Sequence, residues 1–153
     1  MTARSEVPAR YRDPVAASRI VLVAASFAQL LGKPLVEPGA DRVAAMWAAP
    51  AAILAHGIEP DPVFFFANAA ALGAFEYDLE TMLRTPSRLS AEAPLREARQ
   101  ALLDRVGAQG FIDDYSGVRI AASGRRFTIE RATVWNIVDD EGVRHGQAAT
   151  FLP

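Results

Sequence analysis

Apolar residues recur every three or four positions in the first long apolar stretch of the chain. Six of those between residues 20 and 31 fall on one side of a helix, and Ser26 lies off that stripe. Asp13 followed by Pro14 suits a helix start, and Gly32 suits its end. The spacing therefore predicts an amphipathic helix that begins at Pro14 and ends near Gly32.

The same stretch also resembles the apolar region of a signal peptide. Its apolar run, residues 20–31, has twelve residues, which is shorter than a membrane-spanning helix needs. A signal peptide has no requirement for sidedness, and no Ala-x-Ala cleavage site follows Leu31. We therefore expect a helix packed on the domain or on a partner, no membrane contact and a cytoplasmic location.

Short apolar runs and turn-forming residues alternate along the rest of the chain. Ile58-Glu-Pro-Asp61 separates two apolar runs and predicts a β-hairpin, while Gly117 inside a later strand predicts a bulge or a close backbone approach. Asn68 and Asp78 are suited to cap helices. The predicted elements are a short helix over 42–49, strands over 51–56 and 62–68, helices over 69–75 and 79–84, a longer helix introduced by Ser90, Glu92 and Pro94 and ended by Gly107 and Gly110, and strands over 111–122, 125–138 and 143–152.

This order of elements divides the chain into three parts. Residues 1–12 are polar and are expected to form a flexible terminus. Residues 13–50 form an N-terminal helical extension, and residues 51–153 contain all the predicted strands. A chain of 153 residues is long enough for one well-buried core. We predict an α+β fold with a five-stranded antiparallel sheet, flanking helices and an extra N-terminal amphipathic helix.

The composition excludes several classes of function. The formal net charge is −2, which gives no sign of the basic surface that a nucleic-acid binder needs. The chain has no cysteine and two histidines, so disulfides, thiolate nucleophiles and cysteine or multi-histidine metal centres are excluded. No nucleophile–base pair or phosphate-binding glycine loop stands out. We therefore predict no metal site and no catalytic residue.

Ordered motifs along nearly the whole chain, from about Val15 to Phe151, resemble the MEKHLA domain, a family related to PAS domains. The family is found as small bacterial proteins and at the C-terminus of some plant homeodomain–leucine-zipper regulators. The residues that carry the resemblance are His56-Gly57, Asp61-Pro62-Val63, Phe66-Ala67-Asn68, Pro86 to Glu92, Gly110 to Asp113, Tyr115 to Ile120, Gly124 to Phe127, Val134-Trp135-Asn136 and Gly146 to Phe151.

The resemblance implies a PAS-like fold, in which one face of the sheet and the central helices often enclose a small-molecule pocket. On this resemblance we expect a cytoplasmic bacterial protein that acts as a sensor or in signalling. The family's biochemical role is not implied by these motifs. We expect an apolar cavity lined in part by Phe64 or Phe66 and by Leu72. The candidate ligand-binding residues are Phe66, Asn68, Phe75, Tyr115, Arg119, Trp135 and Gln147.

Structural explanations compete with ligand binding at each polar candidate. Asn68 suits a helix cap as well as a pocket wall. Because neighbours on a strand face opposite ways, only one of Trp135 and Asn136 can point into a pocket. A buried Trp135 needs a partner for its N–H, and Tyr115 or Gln147 could provide it. A buried Gln147 amide must be hydrogen-bonded either across the sheet or to a ligand.

The arginines and histidines leave similar alternatives open. Arg88, beside two hydroxyls and before Glu92, favours a structural pair with a carboxylate over anion binding. Arg119 alternates with apolar neighbours, so it either faces water or orients a ligand. His56 and His145 lack carboxylates at metal-ligand spacing and are expected to be structural.

Our leading hypothesis is a non-enzymatic sensory or regulatory module that binds a small molecule, a protein partner or both. A homodimer through the 14–31 helix is the expected association. A small enzyme that uses the same pocket, with Asn68, Arg119 and Gln147 orienting a substrate, is the first alternative. A purely structural interaction domain is the second. The sequence identifies no cofactor. Haem and flavin stay open, although no histidine or cysteine is well placed for either.

Overall fold

The structure, a computed structural model, describes residues 6–90 and 93–153, with the side chains at 93–96, 99 and 103 excepted. Residues 1–5 of the expected flexible terminus and Glu92 of the helix-introducing motif lie outside the described residues. The helices are α1 (Pro14–Leu31), α2 (Arg42–Ala48), α3 (Ala69–Phe75), α4 (Leu79–Met82) and α5 (Ala93–Gln109), and the strands are β1 (Ala52–His56), β2 (Phe64–Ala67), β3 (Phe111–Ile120), β4 (Arg126–Val138) and β5 (Arg144–Phe151).

The helix boundaries follow the local signals in the sequence. The Asp13 carboxylate accepts hydrogen bonds from the first amides of α1, and Gly32 ends the helix in the left-handed conformation at φ +73°. The side chains of Asp41 and Asp78 cap α2 and α4 in the same way. A 3-10 turn at Ser87–Ser90, which follows Pro86, was not predicted.

The five strands form one antiparallel sheet in the order β2-β1-β5-β4-β3. The predicted α+β, PAS-like arrangement is therefore confirmed, and β1 and β2 pair as the expected hairpin. The register of β3 against β4 shifts on both sides of Tyr115, where Gly117 lies directly beneath the tyrosine ring. Gly117 thus marks a bulge, as predicted, and the group that occupies the place of its missing side chain is the Tyr115 phenol and not a neighbouring backbone.

Helices cover both faces of the sheet. One face packs against α1 and α2 through a cluster that includes Phe27, Met46 and Trp135. The opposite face packs against α3 and α4 around Phe75, and α5 closes the end of this face over β3 and β4. Since consecutive strand residues alternate between two buried faces, all of β1 and most of the second half of β4 are buried.

Helix α1 packs directly on β4. The rings of Phe27 and Trp135 meet edge to face with centroids 4.9 Å apart, and Trp135 Nε1 donates to the carbonyl of Val23 at 3.1 Å. Ser26, which lies off the predicted stripe, is also buried. Its hydroxyl donates to the Val138 carbonyl at 2.8 Å and accepts from the Val138 amide at 2.9 Å, so it continues the sheet's hydrogen bonding into the helix.

The expectation of a flexible terminus is wrong for the segment immediately before α1. Ala9–Arg12 forms a 3-10 turn, and Tyr11 is 1% exposed. The Tyr11 hydroxyl bonds both the carbonyl and the amide of Ala67, and its burial raises the pKa of the phenol to about 12. Residues 13–50 likewise contribute side chains to the same core as the sheet, so this part is continuous with the strands in its packing.

Among the described residues, α1 is the one helix that is long and apolar enough to cross a membrane, judged by length and composition alone. It has 18 residues, which span about 27 Å. Ile20, Val23 and Phe27 are buried against the domain, and these contacts are those of a helix packed on a sheet.

Candidate functional site

A cavity of about 50 Å³ lies between the sheet and the helices on the α3–α5 side. Each of the five strands contributes to it, β2 through its first residue, Phe64, because side chains along a strand point alternately to this face. Its walls are mainly apolar, with a few polar groups among them. The apolar lining includes Leu54, Phe64, Phe75, Leu102, Ile129, Val134 and Phe151, and the polar lining comprises His56, Ser90, Tyr115, Arg119 and Gln147.

Gln147 is the polar side chain whose bonding in this cavity is incomplete. It is 3% exposed, and its Nε2 donates to Asn136 Oδ1 at 3.0 Å on the neighbouring strand. Asn136 in turn donates through Nδ2 to the Val106 carbonyl of α5 at 3.3 Å. Because a carbonyl can only accept, this bond fixes both amides, and Gln147 Oε1 becomes the free end. Among the described residues it is the buried side-chain oxygen or nitrogen that has no hydrogen-bond partner.

The backbone next to Gln147 depends on a glycine. Gly146 adopts φ +153°, and a Cβ there would collide with the main-chain oxygen of His56 on β1. The missing side chain lets β1 and β5 approach closely, with His56 paired opposite Gln147. His56 is buried, and its Nδ1 lies 2.9 Å from the Gly57 oxygen. The Gly146-Gln147 pair in the sequence therefore has a structural reason: the glycine permits the strand contact that places the glutamine in the cavity.

Arg119 reaches the cavity from β3, the strand at the edge of the sheet. The partners it has among the described residues are neutral: Nη1 is 3.4 Å from the Ser90 hydroxyl, and the guanidinium lies 5.3 Å from the centre of the Tyr115 ring. Burial lowers the pKa of Arg119 from its ordinary value. The described cavity lining contains no carboxylate, so among the described residues the guanidinium charge is compensated by dipoles and an aromatic ring.

The structure brings four of the seven predicted site residues together. Phe75, Tyr115, Arg119 and Gln147 all line the cavity. For Arg119, the structure decides against the alternative of a side chain that simply faces water. Whether these four bind a ligand stays a prediction.

The other three predicted residues do not line the cavity. Phe66 and Trp135 belong to the cluster on the α1 face, Phe66 against the Tyr11 ring with centroids 5.0 Å apart. Trp135 follows Val134, which lines the cavity, so alternation along β4 turns Trp135 to α1. Phe66 lies two residues after Phe64 and would share its face in a regular strand, but the register of β1 against β2 shifts between Ala55 and His56, and this irregularity turns Phe66 to the α1 side. The Trp135 N–H is satisfied by Val23 rather than by Tyr115 or Gln147.

Asn68 has a structural role that uses its whole side chain. Its Oδ1 accepts from the amides of Ile53 and Ala71, and its Nδ2 donates to the carbonyls of Met46 and Ala51, all at 2.9–3.0 Å. It caps α3 and also joins α2 to β1 across the core. With no bonding capacity free, Asn68 is unavailable to a ligand.

The charged residues outside the cavity form local pairs. Arg88 holds Asp61 at 3.0 Å, so the expected carboxylate pair exists, with a partner on the β1–β2 loop. Arg125 pairs with Glu76 at 2.8 Å. His145 Nε2 lies 2.8 Å from Asp139 Oδ2 across the β4–β5 turn. The bond to His145 is the largest reason why the pKa of Asp139 is lowered.

Sequence reasoning missed Ser90, His56 and Ile129 as cavity residues. Strand period could have placed Ile129 only if the break in β4 near Arg131, which has φ +53°, had been visible in the pattern. Ser90 comes from an unpredicted 3-10 turn. A signal for His56 existed, because it precedes Gly57 at the end of an apolar strand.

The size of the cavity limits what it can hold. Typical ligand pockets have volumes of roughly 300–1,000 Å³, against about 50 Å³ here. Haem or flavin therefore does not fit this conformation. Across residues 6–90 and 93–153, no three His, Asp or Glu side chains lie close enough to hold a metal ion.

The sheet order and the helices on one face define a PAS-like domain, and solved structures agree. A PAS domain from Colwellia psychrerythraea has a TM-score of 0.61 and 16% identity, covering 72% of this chain and 91% of that chain. The light-state dimer of the fungal blue-light photoreceptor Vivid has a TM-score of 0.59 and 16% identity, covering 84% of this chain and 92% of that chain. At these identities the likeness shows the fold alone.

A comparison with protein-family models also identifies the family within the PAS-like class. Residues 17–152 match the MEKHLA domain, and the chain belongs to that family. The match includes most of α1, which packs into the same core as the sheet.

Curated relatives include plant regulators. The chain is similar to homeobox–leucine zipper protein ATHB-14 of Arabidopsis thaliana, with 28% identity over 82% of this chain and 15% of that protein. It is also similar to HOX33 of Oryza sativa subsp. indica, with 34% identity over 67% of this chain and 12% of that protein. The chain therefore spans only a small part of these relatives, and they give no support to the expected bacterial origin.

Proposed function

We propose that this chain is a sensory or regulatory module that binds a small molecule in the Gln147 cavity and performs no catalysis. The observation that carries the proposal is the buried Gln147 Oε1, which has no partner among the described residues. A buried acceptor without a hydrogen bond is costly, and native structures leave few of them. A bound molecule or an ordered water would satisfy it.

The PAS-like fold supports the proposal, since such a sheet with flanking helices leaves room for a guest on one face. The cavity already exists at about 50 Å³, with polar groups such as Arg119 and Gln147 among mainly apolar walls. This combination is typical of sites that select a small molecule by a few placed polar contacts.

Native mass spectrometry tests the proposal. We expect the purified protein to retain a small molecule that is released unchanged on denaturation, and the Gln147→Leu variant to lose it. Gln100→Leu is the matched control, because Gln100 is exposed on α5 and bonds only Asp104 among the described residues. This control should retain the same mass as the wild type.

Two other results would select the alternatives. Release of the retained molecule in a chemically converted form would indicate an enzyme. A protein that retains nothing and becomes more stable when Gln147 is replaced by leucine would indicate a structural interaction domain, because an apolar side chain then fills the space better than the amide.

The proposal also includes a second copy of this chain as a partner of α1. Val15 on this helix is 71% exposed, and a surface groove runs between α1 and the β4–β5 turn, lined in part by Leu22 and His145. Vivid, which has a similar fold, forms a light-state dimer. Self-association through α1 would cover the apolar side that the sheet leaves free.

Light scattering tests the dimer. We expect a dimer for the wild type and a monomer for Val15→Glu, because a charge within an apolar contact opposes association. Ile58→Glu is the matched control, since Ile58 is 61% exposed on the β1–β2 loop. A wild-type monomer, or equal dissociation of both variants, would contradict the use of α1.

A further inference from the structure

Two groups in the cavity, Gln147 Oε1 and the Arg119 guanidinium, need hydrogen-bond partners of opposite kinds, a donor and an acceptor. Gln147 Oε1 is an acceptor with no donor among the described residues, and the network through Asn136 to the Val106 carbonyl prevents the amide from turning round. The molecule that satisfies it must therefore supply an N–H or O–H group.

The Arg119 guanidinium can only donate, so it needs a hydrogen-bond acceptor and pairs most strongly with an anion. Its described partners are the Ser90 hydroxyl and the Tyr115 ring. A guanidinium in partly apolar surroundings is costly without an anion, and a planar carboxylate is the anion that its fork geometry matches best. Burial also disfavours the charged form of Arg119 and lowers its pKa, and a bound anion would offset this effect.

The other residues that line the cavity restrict the chemistry of the rest of the ligand. Leu54, Phe75 and Val134 are apolar, and the described lining has no carboxylate that could neutralise an ammonium group. A donor that carries a positive charge would therefore remain unpaired near Gln147. A hydroxyl or an amide N–H avoids that cost.

We propose that the cavity binds a very small carboxylate that also carries a neutral hydrogen-bond donor, with the carboxylate at Arg119 and the donor at Gln147 Oε1. This inference rests on the proposed function and specifies its ligand. The volume of about 50 Å³ restricts the molecule to about two carbons unless the cavity widens. A 2-hydroxy acid is the simplest compound with both groups.

The test is a titration of the full chain, followed by NMR, with four probes of nearly equal size. Glycolate has both groups, acetate lacks the donor, glycolamide lacks the charge, and glycine replaces the hydroxyl by an ammonium. We expect glycolate to bind in the micromolar to millimolar range, because a ligand of five non-hydrogen atoms can reach at best low-micromolar affinity. Each of the other three should bind about tenfold or more weakly.

Single variants assign each preference to its residue. Gln147→Leu should abolish the preference for glycolate over acetate, and Arg119→Gln should abolish the preference for glycolate over glycolamide. Arg144→Gln is the matched control, because Arg144 is exposed and lies outside the cavity lining. The Gln147 side-chain amide signal, identified by its loss in Gln147→Leu, should shift on addition of glycolate to the wild type.

The outcomes separate this inference from the proposed function. Equal affinity for glycolate, acetate and glycolamide, or no shift of the Gln147 signal with any of them, overturns the carboxylate assignment. If native mass spectrometry then still shows a retained neutral molecule that depends on Gln147, the proposed function stands without it. If nothing is retained and water alone contacts Gln147, both fail. Comparison of probes on the wild type keeps the test decisive even where a variant fails to fold.

Discussion

Replacing Trp135 with alanine is expected to lower the free energy of unfolding by about 4 kcal/mol, which is a large share of the stability of a domain of this size. Trp135 is fully buried between the sheet and α1. The substitution removes the ring that packs edge to face on Phe27 and leaves a cavity at the centre of that layer. Urea unfolding followed by circular dichroism measures the effect.

Trp135→Phe separates the ring from its hydrogen bond. It retains much of the volume and loses only the bond to the Val23 carbonyl, so a loss of about 1–2 kcal/mol is expected. If the alanine variant stays within 1 kcal/mol of the wild type by the same measurement, α1 does not pack on β4 as described here.

Asn68→Ala is expected to cost about as much, although it removes a small polar side chain. Its four hydrogen bonds satisfy two amides and two carbonyls of α2, α3 and β1. Asn68 is fully buried, so water cannot replace these bonds, and each stranded group costs roughly 1–3 kcal/mol. Partial relaxation reduces the sum, and we expect the free energy of unfolding to fall by about 4 kcal/mol.

Asp78→Ala is the matched control for a residue that only caps a helix. Asp78 is exposed, and its carboxylate accepts from the Thr81 amide at 2.8 Å. Loss of such a cap costs about 1 kcal/mol. Equal effects of the two substitutions would show that Asn68 acts as a cap alone and that its bonds to Met46 and Ala51 contribute little.

The elements of the fold were predictable because their signals are local. Asp13-Pro14 and Gly32 define α1, and the turn at Ser123-Gly124 separates β3 from β4, each through the conformation of a few neighbouring residues. The resemblance to MEKHLA domains then supplied the topology that local signals cannot provide. The 3-10 turn that carries Ser90 escaped prediction because single turns lack a periodic pattern.

The cavity was only partly predictable because both faces of the sheet are buried. Alternation in a strand distinguishes two faces, and here neither face is polar, so Trp135 and Val134 look equally suited to a core. Gln147 could be singled out because an amide between small residues on a buried strand needs a partner. Asn68 was also singled out for its polarity. Its four internal bonds depend on the meeting of α2, α3 and β1, which sequence spacing does not reveal.

Strand β4 gives the cavity and the N-terminal helix a common mechanical element. Asn136 bonds Gln147 on one face, and its immediate neighbour Trp135 bonds Val23 of α1 on the other. The peptide unit between the two residues is planar and stiff, so a rotation of this unit tilts both side chains at once. If a molecule binds Gln147 as proposed, a single amide plane would therefore connect it to α1.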